Sequence, residues 1–149
     1  LAHTSKTPGR TQELNFFSII IDRPIINIVD MPGYGFAKAF KKKIREWTDL
    51  SKFYLQNRPN LRRVFLLIDS RHNIKDSDKK IMSMLDDCAV SYQIVLTKID
   101  KINNHDDVIL ETKNSIQKFI AVHPEIHLTS SHKEQGLEDL RNAISSMVE

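Results

Sequence analysis

The chain is 149 residues long, the length of one domain, and its 40% hydrophobic and 28% charged residues are those of an ordinary globular protein with a core of its own. No apolar run approaches the roughly twenty residues of a membrane-spanning helix and no signal-peptide pattern opens the chain, so neither class is expected. Cys88 is the single cysteine, which excludes an internal disulfide and fits a reducing cytoplasm; the formal net charge of +3 permits a polyanionic partner without demanding one.

Taken in order, the chain begins with a polar loop, Leu1 to Gln12, punctuated by Pro8-Gly9. Leu14 to Ile21, dense in Phe and Ile, reads as a strand. Asp22-Arg23-Pro24 connects it tightly to a second strand, Ile25 to Val29, so the two are expected to form a hairpin. A Pro/Gly-rich turn follows. Lys41 to Gln56 then has helical spacing, with Ile44, Trp47, Leu50 or Ser51, Tyr54 and Leu55 on one side, and Asn57-Arg58-Pro59-Asn60 stops it. Val64 to Ile68 is a continuous apolar strand ending at Asp69.

A helix is predicted over Ser77 to Ala89, with Ile81, Met84, Leu85 and Cys88 facing the core. The strand Gln93 to Leu96 runs into Thr97-Lys98-Ile99-Asp100. A long helix from about Asp106 carries Ile109, Ile116, Phe119 and Ile120 inward until His123-Pro124 ends it. A short strand, Ile126 to Leu128, leads into Thr129-Ser130-Ser131, and a last helix carries Leu137, Leu140, Ile144 and Met147. Strands alternating with helices of this length predict βαβ units and an α/β fold, its mostly parallel sheet covered on both faces. No internal repeat or low-complexity segment interrupts this single-domain pattern.

In such a sheet, ligands bind outside the carboxyl ends of the strands. Asp30 with Gly33, Asp69, Thr97-Lys98-Ile99-Asp100 and Thr129-Ser130-Ser131 all stand there. Asp30 can hold Mg²⁺ through water while the Gly33 amide donates to a terminal phosphate oxygen; alone, the same residues also suit an ordinary strand-end turn. Asp100 can accept both N1–H and the exocyclic amine of guanine, a bidentate pair that adenine does not offer. The Lys98 stem can lie along a purine face while its ammonium reaches backbone or ribose oxygens, and the Thr97 hydroxyl can tie this loop to a phosphate-binding segment. Without such a ligand, Lys98 and Asp100 are a surface charge pair. A backbone amide in Thr129-Ser130-Ser131, that of Ser131 by preference, can donate to guanine O6; alternatively the stretch is the N-cap of the helix starting near Gly136. In the opening loop, Thr11 is the candidate neutral Mg²⁺ ligand.

A loop threonine, Asp-x-Pro-Gly, Thr-Lys-x-Asp and Thr-Ser-Ser, in this order and on these elements, resemble a TRAFAC-class GTPase. More narrowly, Thr4-Ser5-Lys6-Thr7-Pro8-Gly9-Arg10-Thr11-Gln12, Asp30-Met31-Pro32-Gly33-Tyr34-Gly35-Phe36-Ala37-Lys38 and Asp69-Ser70-Arg71-His72 resemble the EngB (YihA/YsxC) family of ribosome-assembly GTPases over essentially the whole chain. The resemblance implies a three-layer, Ras-like P-loop GTPase fold and GTP, GDP and Mg²⁺ as ligands. It places Gly9, Arg10, Thr11, Gln12 and Glu13 in the first switch, with Thr11 on Mg²⁺. Asp30, Met31, Pro32 and Gly33 fall on the γ-phosphate side, Thr97, Lys98, Ile99 and Asp100 on guanine, and Thr129, Ser130 and Ser131 over the base. Thr11 and the Gly33 amide are the candidates for positioning the γ-phosphate and water.

Two departures temper these expectations. The family's Gly-x-x-x-x-Gly-Lys-Ser/Thr phosphate loop has no counterpart among the four glycines Gly9, Gly33, Gly35 and Gly136. The chain is therefore read as a fragment lacking the first strand, phosphate loop and first helix, and is expected to be poorly soluble or not to bind GTP alone; a nucleotide-free scaffold that keeps the GTPase shape is the alternative. Tyr34 stands where many GTPases carry a water-orienting glutamine, so slow hydrolysis is expected. Finally, Lys38, Lys41, Lys42, Lys43 and Arg45, with Arg58, Arg62, Arg63 and Arg71, can form a basic surface for ribosomal RNA or a large-subunit precursor; a solvated helix face is the plainer reading. A monomer in the cytoplasm, with a role in ribosome assembly linked to cell division and septation, completes what the resemblance implies. The histidines lack metal-ligand spacing.

Overall fold

The computed structural model describes residues 14–20, 25–31, 33 and 41–147, with the side chains of Ile20, Ile25, 41–44 and Trp47 outside that description. Gly9, Arg10, Thr11, Gln12, Glu13, Pro32, Tyr34 and Lys38 lie outside the described residues, as do the side chains of Lys41, Lys42, Lys43, Ile44 and Trp47. The chain forms two compact units that divide after Tyr54.

In the first unit, β1 (Asn15–Ile20) and β2 (Ile25–Asp30) pair antiparallel, in register from Asn15 opposite Asp30 to Ile20 opposite Ile25. This is the hairpin expected from two β-branched and aromatic runs joined by a short connection. Ser18 and Asn27 sit directly opposite each other, and the serine hydroxyl donates to Asn27 Oδ1 at 2.7 Å. The Phe16 ring meets Tyr54 edge-on, centroids 6.1 Å apart. Helix α1 spans Lys41–Gln56. Of the two candidates for its inward stripe, Ser51 is buried and Leu50 is exposed. Ser51 and Leu55 are i,i+4 neighbours, so a stripe centred on the buried Leu55 brings Ser51 inward and turns Leu50 out.

The second unit is a parallel sheet in the order β3 (Val64–Asp69), β4 (Tyr92–Thr97), β5 (His127–Leu128). Val64 through Asp69 pair with Tyr92 through Thr97, and Val95 and Leu96 pair with His127 and Leu128. The central strand is buried from Tyr92 to Leu96, as a strand covered on both faces must be. Around it are α2 (Asp76–Asp87), α3 (His105–Ile116) and α4 (Leu137–Ser145), and the core comprises Leu66, Ile68, Met82, Leu85, Ile94, Val95, Leu96, Ile99 and Ile116.

Two helix faces differ from their sequence-based expectation. On α2 the buried stripe is Asp78, Met82 and Leu85, while Ile81, Met84 and Cys88 are only half-buried. The cause is polar: the Asp78 carboxylate accepts the Lys75 amide at 2.7 Å, which turns the first helical turn inward, and Met82 and Leu85 follow at helical spacing. Helix α3 stops at Ile116, well before His123-Pro124, and Ile120 is 91% exposed instead of buried. Asp86 accounts for this, its two carboxylate oxygens taking the amides of Ile120 and Ala121 at 3.0 and 2.9 Å and drawing the backbone out of the helix. Ile116 and Phe119 are buried as expected.

Two polar groups cross the core of this unit. Gln93, fully buried on β4, accepts from Arg63 Nη1 at 2.8 Å and places its amide nitrogen 2.9 Å from His127 Nε2 and 3.3 Å from Glu125. Tyr92 is fully buried and its hydroxyl has no hydrogen-bond partner among the described residues; burial, and secondarily the charge of Asp86, push its ionisation far above the ordinary tyrosine range. A desolvated hydroxyl without a partner costs about 1–3 kcal/mol. Tyr92→Phe is therefore expected to raise the unfolding free energy by about 1 kcal/mol in urea titrations; an equal fall would mean that the hydroxyl holds a partner in solution.

Candidate functional site

Three strand ends of the second unit are stitched side by side. At the β3–β4 seam the Ser70 amide donates to the Thr97 carbonyl at 2.9 Å, and the Thr97 hydroxyl donates to the Ile68 carbonyl at 3.3 Å. The threonine hydroxyl thus ties its loop to the neighbouring strand β3, where the sequence had suggested a phosphate-binding segment. At the β4–β5 seam the Thr129 amide and hydroxyl both donate to the Leu96 carbonyl, at 2.8 and 3.2 Å, and the Ile99 amide returns to the Thr129 carbonyl at 3.2 Å. Backbone groups that would otherwise be orphaned where the strands stop are thereby satisfied, and the loops beyond them are held in fixed register.

Those loops carry Lys98, Asp100 and Ser131. Lys98 adopts the left-handed backbone region at φ 59°, uncommon for a non-glycine residue, and this reversal starts the single 3₁₀ turn Ile99–Lys101. Ile99 is buried and anchors the turn. Asp100 is positioned by the next strand's loop: Ser130 Oγ donates to its Oδ1 at 2.6 Å, and Lys101 Nζ lies 3.5 Å from its Oδ2. The Ser130 hydroxyl, and to a lesser degree Lys101, hold the Asp100 carboxyl below its ordinary ionisation range against the opposing effect of burial. Each carboxylate oxygen has two lone pairs, so both retain accepting capacity toward a ligand.

Thr129-Ser130-Ser131 is not the N-cap of α4. That position belongs to Gly136, and Ser130 instead pairs its backbone with Gln135, with N···O distances of 3.0 Å in both directions. The Ser130 hydroxyl also accepts the Lys133 amide at 3.1 Å, closing a tight loop. Ser131 is exposed at its tip, and its amide has no hydrogen-bond partner among the described residues. An exposed backbone N–H thus follows directly on the serine that holds an acceptor-only carboxylate, and one donor with one such acceptor is what the O6, N1–H and amine edge of guanine requires.

Lys98 Nζ donates to Asp69 Oδ2 at 2.8 Å. The same aspartate accepts the Arg71 amide at 3.1 Å, Arg71 Nε at 2.9 Å and Arg71 Nη2 at 2.6 Å. Arg71, followed by Lys98, keeps the Asp69 carboxyl well below the usual carboxylate range. Sequence reasoning placed Asp69 at the strand end and gave it no role; two cations within reach of one aspartate are visible only once β3 and β4 are paired. Arg71 and Arg63 had been expected on a basic surface, but Arg71 is engaged by Asp69 and Arg63 by the buried Gln93, while Arg62 is exposed.

The lowered ionisation of both aspartates has a direct consequence. A carboxyl whose folded-state pKa lies below its unfolded value adds stability above the unfolded value, near pH 4, and loses it as the pH falls toward the folded one. Thermal unfolding temperatures are expected to drop as the pH is lowered below about 4, and Asp69→Asn should flatten that fall. An unchanged acid profile in the variant would show that Asp69 does not carry the effect.

In the first unit, Asp30 ends β2 and is exposed, Met31 is half-buried and Gly33 is exposed. Arg45, on α1, is exposed. Among the described residues no group of histidine, cysteine or carboxylate side chains suits a metal ion by itself, and no helix is long and apolar enough to cross a membrane. A lone carboxylate such as Asp30 fits Mg²⁺ where phosphates and water supply most of the ligands.

A family model described as 50S ribosome-binding GTPase matches residues 1–98. The probable GTP-binding protein EngB of Rhodospirillum rubrum is 49% identical over 99% of this chain and 65% of its own length. Its namesakes in Bartonella tribocorum and Chelativorans sp. are 52% and 53% identical over 97% of this chain, and 71% and 68% of theirs. The chain belongs to the EngB family. Its fold is that of P-loop GTPases. Aquifex aeolicus Era bound to GDP.AlF4- superposes with a TM-score of 0.75 at 22% identity, over 98% of this chain and 48% of Era. A crystal structure of a probable GTP-binding protein engB gives 0.73 at 20% identity, over 93% of this chain and 84% of that one. The chain spans about two thirds of the length of the curated relatives it matches.

Proposed function

We propose that this EngB-family chain is part of a guanine-nucleotide switch that binds GTP and GDP with Mg²⁺ and hydrolyses GTP slowly. The observation that supports the reading best is the Asp100 carboxylate, pinned by Ser130, with the Ser131 amide following it and unpartnered among the described residues. Asp100 accepts the N1–H and amine of guanine, the Ser131 amide donates to O6, and the Lys98 stem underlies the ring. Thr97, Ile99, Thr129 and Ser130 hold those three in place. In the same proposal Asp30 meets Mg²⁺ through water and Thr11 meets it directly. The Gly33 amide senses the γ-phosphate, with Gly9, Arg10, Gln12, Glu13, Met31 and Pro32 flanking it. The whole chain acts as one G domain.

The test is displacement of a fluorescent GDP analogue from the full-length protein in Mg²⁺ buffer. GTP and GDP are expected to displace it at least about 100-fold more effectively than ATP, a difference of about 2.8 kcal/mol. Equal displacement by ATP would overturn the guanine reading.

For the wider role we propose a monomeric cytoplasmic switch in bacterial large-subunit assembly, needed for normal division and septation. Lys38, Lys41, Lys42, Lys43 and Arg45, at and before the start of α1, are its candidate contacts to ribosomal RNA. Changing Lys41, Lys42 and Lys43 together to Glu is expected to weaken association with large-subunit precursors, measured by gradient co-sedimentation, and to leave GTP affinity within about twofold, or about 0.4 kcal/mol. Equal loss of both would contradict an RNA-contacting role.

A further inference from the structure

We propose that Asp69 is a positioning residue for nucleotide binding: it anchors the Lys98 ammonium across the β3–β4 seam so that the lysine stem forms a fixed apolar rail under the base. The proposal rests on the guanine reading of Lys98 and Asp100.

The geometry begins with the strand register. Asp69 and Thr97 are opposite one another at the ends of β3 and β4, and Lys98 follows immediately in the left-handed region. Adjacent strands are about 4.8 Å apart, a gap that the four-carbon lysine stem can span. Lys98 does so, ending 2.8 Å from Asp69 Oδ2 on the neighbouring strand. A lysine side chain free in solvent samples many rotamers, and ordering it on nucleotide arrival opposes binding. Tethering the ammonium beforehand removes that cost, and an ammonium has two further N–H groups for ribose or backbone oxygens.

An isolated surface ion pair is too loose to act as such a tether. This one is built more firmly. Asp69 is fixed first by Arg71, whose amide and Nε both donate to Oδ1 while Nη2 donates to Oδ2, and only then receives Lys98. The Arg71 amide bond is a local i,i+2 turn that orients the carboxylate, and the His72 amide closes the same turn on the Asp69 carbonyl at 3.0 Å. With Arg71 supplying one positive charge, the carboxylate acts as a hinge pin for the other. Lys98 and Asp100 belong to the same short turn, so fixing the lysine fixes the floor beneath the proposed base reader.

The test is a double-mutant cycle on GDP dissociation constants with Asp69→Ala and Lys98→Ala, in the full-length protein. Asp69→Ala is expected to weaken GDP binding about tenfold, or about 1.4 kcal/mol, in the wild-type background and less than about twofold when Lys98 is already alanine. Additive losses would mean that Asp69 acts only by shaping the turn, and would overturn the proposal. Asp69→Asn provides the second variant: its amide oxygen can still accept the Arg71 backbone amide and keep the turn, while the charge that holds Lys98 is gone. It should reproduce the Lys98-dependent loss of GDP affinity although its unfolding temperature at neutral pH falls to the level that loss of the ionised carboxylate sets, and full GDP affinity in Asp69→Asn would likewise overturn the role. If Asp100→Asn leaves guanine preference unchanged, the reading of the site fails. If Asp100→Asn alters preference while the Asp69 cycle is additive, only the rail fails.

Discussion

Asp100→Asn is expected to move the nucleotide preference of the protein from GTP toward XTP, with GTP affinity falling about 100-fold or more, or about 2.8 kcal/mol. Guanine presents two adjacent donors, N1–H and the 2-amine, and an ionised carboxylate is an acceptor at both oxygens. Each hydrogen bond to such a charged group is worth about 1.5–3 kcal/mol, so turning one of the two into a donor–donor clash and leaving the other to a neutral oxygen accounts for the full factor. Xanthine replaces the amine by a carbonyl, which the asparagine NH₂ can meet as a donor. The substitution gives up the ion pair of Oδ2 with Lys101 Nζ at 3.5 Å but keeps the bond that orients the side chain. Ser130 Oγ donates to Asp100 Oδ1 at 2.6 Å, and an asparagine carbonyl oxygen accepts the same bond. That bond directs the amide nitrogen to the position of Oδ2. Competition of GTP, XTP and ATP against a fluorescent nucleotide distinguishes the outcomes: unchanged GTP preference would show that Asp100 is not the reader.

Much of this arrangement is legible in the sequence, and the reason is the strength of local signals. Val64–Asp69 and Tyr92–Thr97 are short apolar runs bounded by polar turns, and Lys41–Gln56 is a periodic helix closed by Asn57 to Asn60, so their identities follow from period and punctuation. Asp69, Thr97 and Thr129 stand at or just beyond the ends of adjacent parallel strands because parallel pairing brings successive carboxyl ends together. What is not legible is any feature decided by a polar partner and not by apolar spacing. Asp78 faces inward because the Lys75 amide reaches its carboxylate, which rotates the whole buried stripe of α2 away from Ile81 and Met84. Asp86, on a different helix, ends the regular chain after α3 and leaves Ile120 in solvent. Arg63 and Arg71 look like surface cations by composition, yet each is bound to a side chain on or beside the parallel sheet. Hydrophobic periodicity carries none of this information, since a carboxylate that captures a backbone amide overrides the apolar pattern of its own helix.

Gly136 shows the same limit from the other side, and Gly136→Ala carries the largest expected loss of stability. The residue lies at the N-cap of α4 with φ +67°, where an alanine costs about 1–2 kcal/mol in backbone conformation alone. The steric term is larger. A Cβ at this position would stand 1.8 Å from the Leu128 carbonyl oxygen and 3.0 Å from its carbon, and both are backbone atoms of β5 with no rotamer to give way. Either α4 or the end of β5 must shift. A displaced β5 end carries Thr129 with it, and Thr129 makes the bonds that join this loop to Leu96 and Ile99. Gly136→Ala is therefore expected to lower the unfolding free energy by about 3 kcal/mol or more and to weaken guanine-nucleotide binding in the protein that still folds. Asparagine separates the two contributions, because it tolerates the left-handed region but still carries a Cβ. If the clash dominates, Gly136→Asn and Gly136→Ala lose similar stability in urea titrations. Recovery of most of the loss by asparagine would assign the cost to backbone conformation and leave the close approach to Leu128 without energetic weight.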